Sequence, residues 1–225
     1  GWNWEWVTNA WKTPEMKRTY ALMVPKMVGH PVEMLTFWVF TSLASFLAPG
    51  SITVLSFARN FQSVPVSLIG IAMSTAAFPL LAEAVLRSKE ELRSLLYRMA
   101  RTILFASSLA ALVVYLIRYP LVTTLLGGGV FDSAAVAQTA LVLGIFCLAI
   151  PTESLSHLLA RAFYADKNTF VPVTFGVISL AVSSIGAYLL MQQFDIIGLP
   201  LGFFLGSFVK TIGLWIFFLR RLTRV

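Results

Sequence analysis

Charged residues are scarce in this 225-residue chain, where Asp, Glu, Lys and Arg together make up 12% of the sequence. A soluble globular domain carries about 25% charged residues. Hydrophobic residues make up 58% of the chain, and its mean hydropathy is +0.81. This balance excludes a disordered chain and an ordinary soluble domain, and it predicts a helical protein that crosses a membrane several times.

The residues that build the commonest catalytic and metal centres are nearly absent as well. Cys147 is the only cysteine, which excludes a disulfide within the chain and a cysteine-based metal site. His30 and His157 are the only histidines and lie far apart in the sequence. The sequence contains no P-loop, no His-Glu-x-x-His and no Gly-x-Ser-x-Gly motif. We therefore expect a protein that is not an enzyme and needs no cofactor or metal.

Six apolar stretches of the sequence are long enough to cross a lipid bilayer as helices. The hydrocarbon core is about 30 Å thick, which a helix of about 20 residues spans. The stretches cover residues 20–48, 52–81, 92–117, 134–164, 170–191 and 196–219. Pro151 predicts a break in the fourth stretch, and Asp132 is placed to cap its first turn. We predict an all-α polytopic membrane protein with six transmembrane helices, because no strand-like alternation interrupts these runs.

Fourteen of the seventeen basic residues fall on one side of such a six-helix arrangement. They precede the first stretch, surround the second and fourth loops, and close the chain. By the positive-inside rule, this side and both termini are cytoplasmic. The net charge of +7 thus reports topology and contact with the lipid bilayer, and we expect no nucleic acid partner. The chain divides into a cytoplasmic, interfacial linker at 1–19, a transmembrane lobe at 20–219 and a basic cytoplasmic tail at 220–225.

The second stretch carries polar and small residues at three- and four-residue steps, which places them on one face of a helix. They are Ser56, Arg59, Asn60, Gln62, Ser63, Ser67, Gly70 and Ser74. Such a face either lines a hydrated pathway or packs closely against another helix. Ser and Gly alone favour packing, and Arg59 and Gln62 make the pathway an equal alternative, because polar groups in a bilayer are costly unless they meet water or a partner. Pro65 and Pro79 predict kinks in this helix.

Ionisable residues also occur inside other stretches. Glu153, His157 and Arg161 follow one another at four-residue intervals and share one helical face. They predict either ion pairs that fix helix packing or a relay for a proton or an ion. Glu33 in the first stretch is a further candidate for ion or proton coupling. Lys210 in the sixth stretch is expected to extend its ammonium group part of the way toward the cytoplasmic interface.

Five short strings of the sequence have a distinctive order and spacing. They are FLAPGS at 46–51, SFARNFQSVP at 56–65, FPLL at 78–81, LGGGVFD at 126–132 and ARAFYADKNT at 160–169. Taken together, the strings resemble the MurJ/MviN family of lipid II flippases, and the match covers nearly the whole chain.

The resemblance implies the fold of the multidrug/oligosaccharidyl-lipid/polysaccharide (MOP) exporters, in which two six-helix lobes enclose a central cavity and work by alternating access. This chain would supply the second lobe, with the N-terminal lobe of the same protein as its partner. The implied function is the flipping of a lipid-linked oligosaccharide diphosphate, the peptidoglycan precursor lipid II, across the bacterial inner membrane. The membrane potential and a gradient of a coupling cation are both open as energy sources.

The sequence departs from the family pattern at two positions. The cavity arginine of the family corresponds to Asn60, and Arg59 comes one residue earlier, which rotates the side chain by about 100° around the helix. Asn168 replaces a family aspartate. The predicted substrate-binding residues are Arg59, Asn60, Gln62, Ser63 and Ser67. Two alternatives stay open, namely a same-fold exporter of another lipid-linked sugar or of a drug, and a membrane scaffold fragment without transport.

Overall fold

The computed structural model describes Thr13, Met16, Val32 and residues 34–128 and 131–223 of the chain. Its helices are α1 (Met34–Ala44), α2 (Ser51–Arg87), α3 (Lys89–Leu126), α4 (Ser133–Phe146), α5 (Ala149–Ala165), α6 (Phe170–Phe194) and α7 (Gly198–Thr223). Within these described residues, extended pairing is limited to a single bridge between Gly128 and Phe131. The predicted all-α fold is confirmed.

The helices follow the six predicted stretches. By length and apolar composition, α2, α3 and the run Phe170–Arg221 can cross a membrane, and α4 with α5 can form one further span that is bent by 44°. The run Phe170–Arg221 comprises two antiparallel spans, because the chain reverses at Asp195, where φ is 53° and a 3-10 turn begins. α1 is the described part of the first predicted stretch. The lobe therefore has the predicted six transmembrane helices.

α2 changes its winding next to a proline. It is α-helical over Ser51–Pro65 and Ala72–Arg87 and π-helical over Val66–Ile71. Proline lacks the N–H that would bond to the carbonyl four residues earlier, and a π segment keeps the following backbone groups bonded with a shifted partner. At Pro65, where a kink was predicted, the helix thus changes from α- to π-helical winding. Pro79 lies within a continuous α-helical segment.

α3 continues to Leu126 and so extends well beyond the predicted end of the third stretch at residue 117. The predicted boundary was wrong because Arg118 finds local partners and does not end the helix. Its guanidinium carbon lies 4.0 Å from the centre of the Tyr115 ring, and its Nη1 donates a hydrogen bond to the Tyr115 carbonyl. Pro120 follows within the same helix.

The fourth span is broken as predicted, but the break precedes the proline. Cys147 and Leu148 separate α4 from α5, and Pro151 lies in the first turn of α5. A proline is tolerated there because the first N–H groups of a helix have no partner within it. At the other end, Asp132 caps α4 as predicted, since its Oδ1 accepts a hydrogen bond from the Ala135 N–H at 2.8 Å.

Glycines allow the backbones of α6 and α7 to approach closely. Gly198, Gly202 and Gly206 recur at four-residue steps and so share one face of α7. A Cβ atom placed on Gly202 would lie 2.3 Å from the Ala187 backbone nitrogen, and one on Gly206 would lie 2.6 Å from the Ser183 Cβ. This is the small-residue packing that joins transmembrane helices, where van der Waals contact replaces the hydrophobic effect.

Two apolar clusters lie one above the other along the lobe. The first includes Phe40, Val54, Phe146 and Leu199, and the second includes Leu81, Leu96, Phe163, Leu214 and Phe218. At the end of the lobe beyond the second cluster, Lys89, Asp166 and Arg221 line one pocket. The α2–α3 loop, the α5–α6 loop and the end of α7 therefore lie together, as expected for the face that carries most of the basic residues.

Candidate functional site

A layer of polar and small residues separates the two apolar clusters. It comprises Gln62, Gly70 and Ser74 on α2, Thr152, Glu153 and Ser154 on α5, and Ser207, Lys210 and Thr211 on α7. Lys210 lies twelve and thirteen residues from the ends of α7, or about 20 Å at 1.5 Å per residue. The layer is therefore near the middle of the membrane, where polar groups are costly unless they are paired or hydrated.

One hydrogen bond connects α2 with α5 through this layer. Gln62 Nε2 donates to Glu153 Oε2 at 3.1 Å, and Gln62 is only 2% exposed. Gly70 lets the two helices approach, because a Cβ atom there would lie 2.7 Å from the Ser154 Cα. The paired residues are 91 positions apart in the sequence, so their contact depends on the tertiary packing.

Two hydrogen bonds connect α5 with α7 in the same layer. The Thr152 and Ser207 hydroxyl oxygens are 2.8 Å apart, and Thr211 Oγ1 donates to the Thr152 carbonyl at 2.7 Å. Hydrogen bonds between transmembrane helices contribute about 0.6 kcal/mol each on average. The contribution to stability is thus modest, and the main effect of these bonds is to fix the positions of α5 and α7 around the charged groups.

Arg59, Glu153 and Lys210 line a cavity of about 40 Å³ within the layer. A cavity of this size holds one to a few water molecules when its lining offers polar partners. The other lining residues are Val32, Thr36, Gly176, Ser179, Ser183, Phe203 and Ser207. Among these described residues, two cationic side chains and several hydroxyl groups surround one carboxylate. The lining therefore suits water or a small polar group in an otherwise apolar lobe.

The Arg59 guanidinium group lies between two aromatic rings. Its carbon is 4.9 Å from the centre of the Phe203 ring and 5.9 Å from that of Phe37. Cation–π contacts of this kind stabilise a desolvated arginine by about 2 kcal/mol. The Arg59 Nη1 is buried and has no hydrogen-bond partner among the described residues. Since an unpaired buried donor on a charged group costs more than about 1–3 kcal/mol, this nitrogen is placed to bind an acceptor.

The polar residues predicted to share one face of α2 point in two directions. Gln62 is buried and Arg59 is partly buried, and both point into the lobe. Asn60, Ser63 and Ser67 are exposed. The one-residue shift between Arg59 and Asn60 therefore has a structural consequence, because the cation lies inside the lobe and the amide lies on its outer surface.

The remaining predicted site residues are placed as follows. Glu153, His157 and Arg161 are all partly buried on α5, and Glu153 bonds across to α2 through Gln62. Glu33 lies outside the described residues. The substrate-binding and coupling roles assigned to these side chains from the sequence stay predictions.

Lys210 joins the site although it was not predicted as a site residue. We expected its ammonium group to extend part of the way toward the cytoplasmic interface, but the side chain lines the cavity with Arg59 and Glu153. About 20 Å of helix on each side exceeds the reach of a lysine side chain. Because α7 extends to Thr223, beyond the predicted end of the sixth stretch, Lys210 is central in the helix and not near its cytoplasmic end.

The lobe resembles two solved transporters in its fold. It matches a lipid II flippase MurJ in an inward closed conformation with a TM-score of 0.78 and 21% identity, over 86% of this chain and 41% of that chain. It matches a Vibrio cholerae MATE transporter with a TM-score of 0.82 and 19% identity, over 94% of this chain and 49% of that chain. The helices therefore form one lobe of a MOP-type fold.

The amino-acid sequence of this chain is also similar to those of known proteins. A probable lipid II flippase MurJ from Bdellovibrio bacteriovorus is 29% identical over 201 residues, which is 89% of this chain and 38% of the relative. A lipid II flippase MurJ from Burkholderia cenocepacia is 27% identical over 208 residues, which is 92% of this chain and 40% of the relative. The chain thus spans about two fifths of the length of these relatives. Since the family model described as lipid II flippase MurJ matches residues 5–224, this chain belongs to the MurJ family.

Proposed function

We propose that this chain is one lobe of a two-lobe flippase that moves lipid II across the bacterial inner membrane by alternating access. Membership of the MurJ family and the MOP-type fold support this proposal. The missing partner is a second six-helix lobe N-terminal to this one in the same protein. No covalent bond changes in this process, so the protein acts as a transporter and not as an enzyme, and it needs no cofactor.

The observation that carries the proposal is the exposed polar face of α2. Asn60, Ser63 and Ser67 lie on the outer surface of a helix in the middle of the lobe. An amide exposed to acyl chains would be costly, whereas the same group beside a water-filled cavity is stable. We therefore assign this face to the central cavity between the two lobes.

The polar layer behind this face makes the central cavity between the two lobes polar. A diphosphate that crosses a low-dielectric membrane needs cationic groups and hydrogen-bond donors along its path. Asn60 and the two serines would contact the head group directly, with Arg59 one residue away supplying positive potential. Gln62 and Glu153 would fix the helix that carries them. The membrane potential or a cation gradient would drive the cycle.

Reconstitution of the complete two-lobe protein tests the proposal. Vesicles that contain the protein should expose labelled lipid II from the inner leaflet to an external quencher, whereas protein-free vesicles and a labelled phospholipid should show no such movement. Faster movement of another lipid-linked sugar would favour an exporter of different cargo. Failure to move any lipid-linked sugar would contradict the flippase and leave the scaffold alternative.

The proposed orientation places both termini in the cytoplasm. In a Cys147→Ala background, Ala48→Cys and Ser133→Cys should react with a membrane-impermeant maleimide in intact cells. Glu90→Cys should react only after the membrane is permeabilised, because Glu90 lies in the first turn of α3, at the opposite end of the lobe. Labelling of all three positions from outside, or of Ala48→Cys and Ser133→Cys from opposite faces, would contradict the six-span topology.

A further inference from the structure

A second pocket lies where the cytoplasmic loops of the lobe converge. It has a volume of about 590 Å³ and is bounded by the α2–α3 junction, the end of α5 and the end of α7. It lies beyond the second apolar cluster and is separate from the polar layer. None of its lining residues belongs to the site proposed for the flipped substrate.

The charged lining of this pocket is mainly cationic. The charged residues that line it are Lys89, Asp166, Arg220 and Arg221, so the described lining carries three positive groups and one negative group. Arg221 Nε contacts Asp166 Oδ2 at 2.8 Å, which leaves the two terminal nitrogens of that guanidinium group for other acceptors. Glu91, in the same first turn of α3 as Lys89, does not line the pocket, and it pairs with Arg87 at 3.0 Å.

The rest of the lining is apolar and close to the membrane. Val85 and Leu92 form part of the wall together with Phe217, which is 45% exposed at the end of the apolar run of α7. The basic residues come directly after the apolar spans, where the phosphate groups of a bilayer lie. A ligand of this pocket would therefore meet cations at its head and aliphatic or aromatic side chains below.

We propose that this pocket binds the head group of an anionic phospholipid from the cytoplasmic leaflet. Arginine presents its N–H groups in a fork that matches two oxygens of a phosphodiester, and Lys89 adds a further cation. The apolar wall takes the first carbons of the acyl chains. Basic pockets between transmembrane helices on the cytoplasmic side bind lipid head groups in this way. The site is independent of the substrate that the protein flips.

The test measures the binding of dioleoyl phosphatidylglycerol to the purified complete protein in a neutral detergent, by native mass spectrometry. Phosphatidylcholine with the same acyl chains is the neutral comparison. The Arg220→Gln/Arg221→Gln variant should bind phosphatidylglycerol about 30-fold more weakly, since each cation near an anionic lipid contributes roughly a factor of five. Asp166→Asn should bind it about fivefold more tightly, because it removes the competing carboxylate.

A matched variant controls for net charge. Arg98→Gln/Arg101→Gln removes the same two charges from exposed positions of α3 that lie outside this pocket, and it should change binding little. An equal loss in both double variants would overturn the site, as would weaker binding by Asp166→Asn. Competition by glycerol phosphate or inorganic phosphate as effective as that by the lipid would also overturn it, because the apolar wall would then play no part. All variants must keep the elution profile of the parent protein. Unaltered lipid binding in a folded Arg220→Gln/Arg221→Gln variant would contradict the proposal.

Discussion

The variant Arg59→Ala/Gln62→Ala of the complete protein should fail to support growth of a strain depleted of its own lipid II flippase. Arg59 supplies positive charge beside the cavity, and Gln62 provides the donor to Glu153 that holds α2 and α5 together. Loss of the partly buried Arg59 cation together with the Gln62–Glu153 hydrogen bond costs about 3 kcal/mol, which corresponds to a roughly 100-fold lower rate when these interactions are needed in the slow step. Growth and flipping of labelled lipid II are the measurements.

A second double variant controls for the loss of one arginine and one glutamine. Arg101 and Gln193 are exposed and lie outside the polar layer, so Arg101→Ala/Gln193→Ala should support normal growth. Normal growth of the Arg59→Ala/Gln62→Ala variant at a normal protein level would remove the transport role assigned to the pair. If growth is lost because the variant protein is absent from the membrane, the transport role is also removed, since Arg59 and Gln62 would then be needed for folding.

The variant Gly202→Val should leave almost no folded protein in the membrane. Even a single Cβ atom at this position would lie 2.3 Å from the Ala187 nitrogen and 2.6 Å from its Cα, so α6 and α7 would have to separate. Gly202→Ala should lower the unfolding midpoint by roughly 5–10 °C, because overpacking costs about 1–3 kcal/mol or more. That cost exceeds the gain of about 0.5–1 kcal/mol that alanine gives within a helix.

Gly176→Ala provides the matched control on α6. The nearest atom to a Cβ there, Val32 Cγ1, would be 3.9 Å away, which is an ordinary contact. This variant should unfold at the parent temperature or slightly above it. Thermal unfolding in detergent, followed by size-exclusion chromatography, compares the variants. An unchanged midpoint for Gly202→Ala would show that the α6–α7 interface is looser than the structure indicates.

The six spans were predictable because each depends on the composition of a local stretch. The third boundary was predicted too early, since Arg118 resembled the end of a span and its stacking on Tyr115 is not visible as a composition change. The packing of α6 on α7 was predictable from the glycine repeat at 198, 202 and 206, although we did not predict it.

The candidate site was predicted only in part. The sequence identified Arg59, Gln62 and Glu153 because polar groups in apolar stretches are rare and costly. It did not indicate that Gln62 bonds to Glu153, that Lys210 joins them, or that Asn60 lies outside while Arg59 lies inside. Each of these facts depends on which helix faces which.

Hydropathy and charge along the chain are enough to predict the membrane class, the number of spans and the side on which most basic residues gather. The hydropathy and charge of each segment set its own free energy of insertion and its orientation in the bilayer, independently of the other helices. Which polar side chains meet, and which pockets the loops enclose, depends on how the helices pack against one another. Those choices follow from close packing between residues distant in the sequence, as where Gly70 lets α2 approach Ser154 on α5 beside the Gln62–Glu153 hydrogen bond.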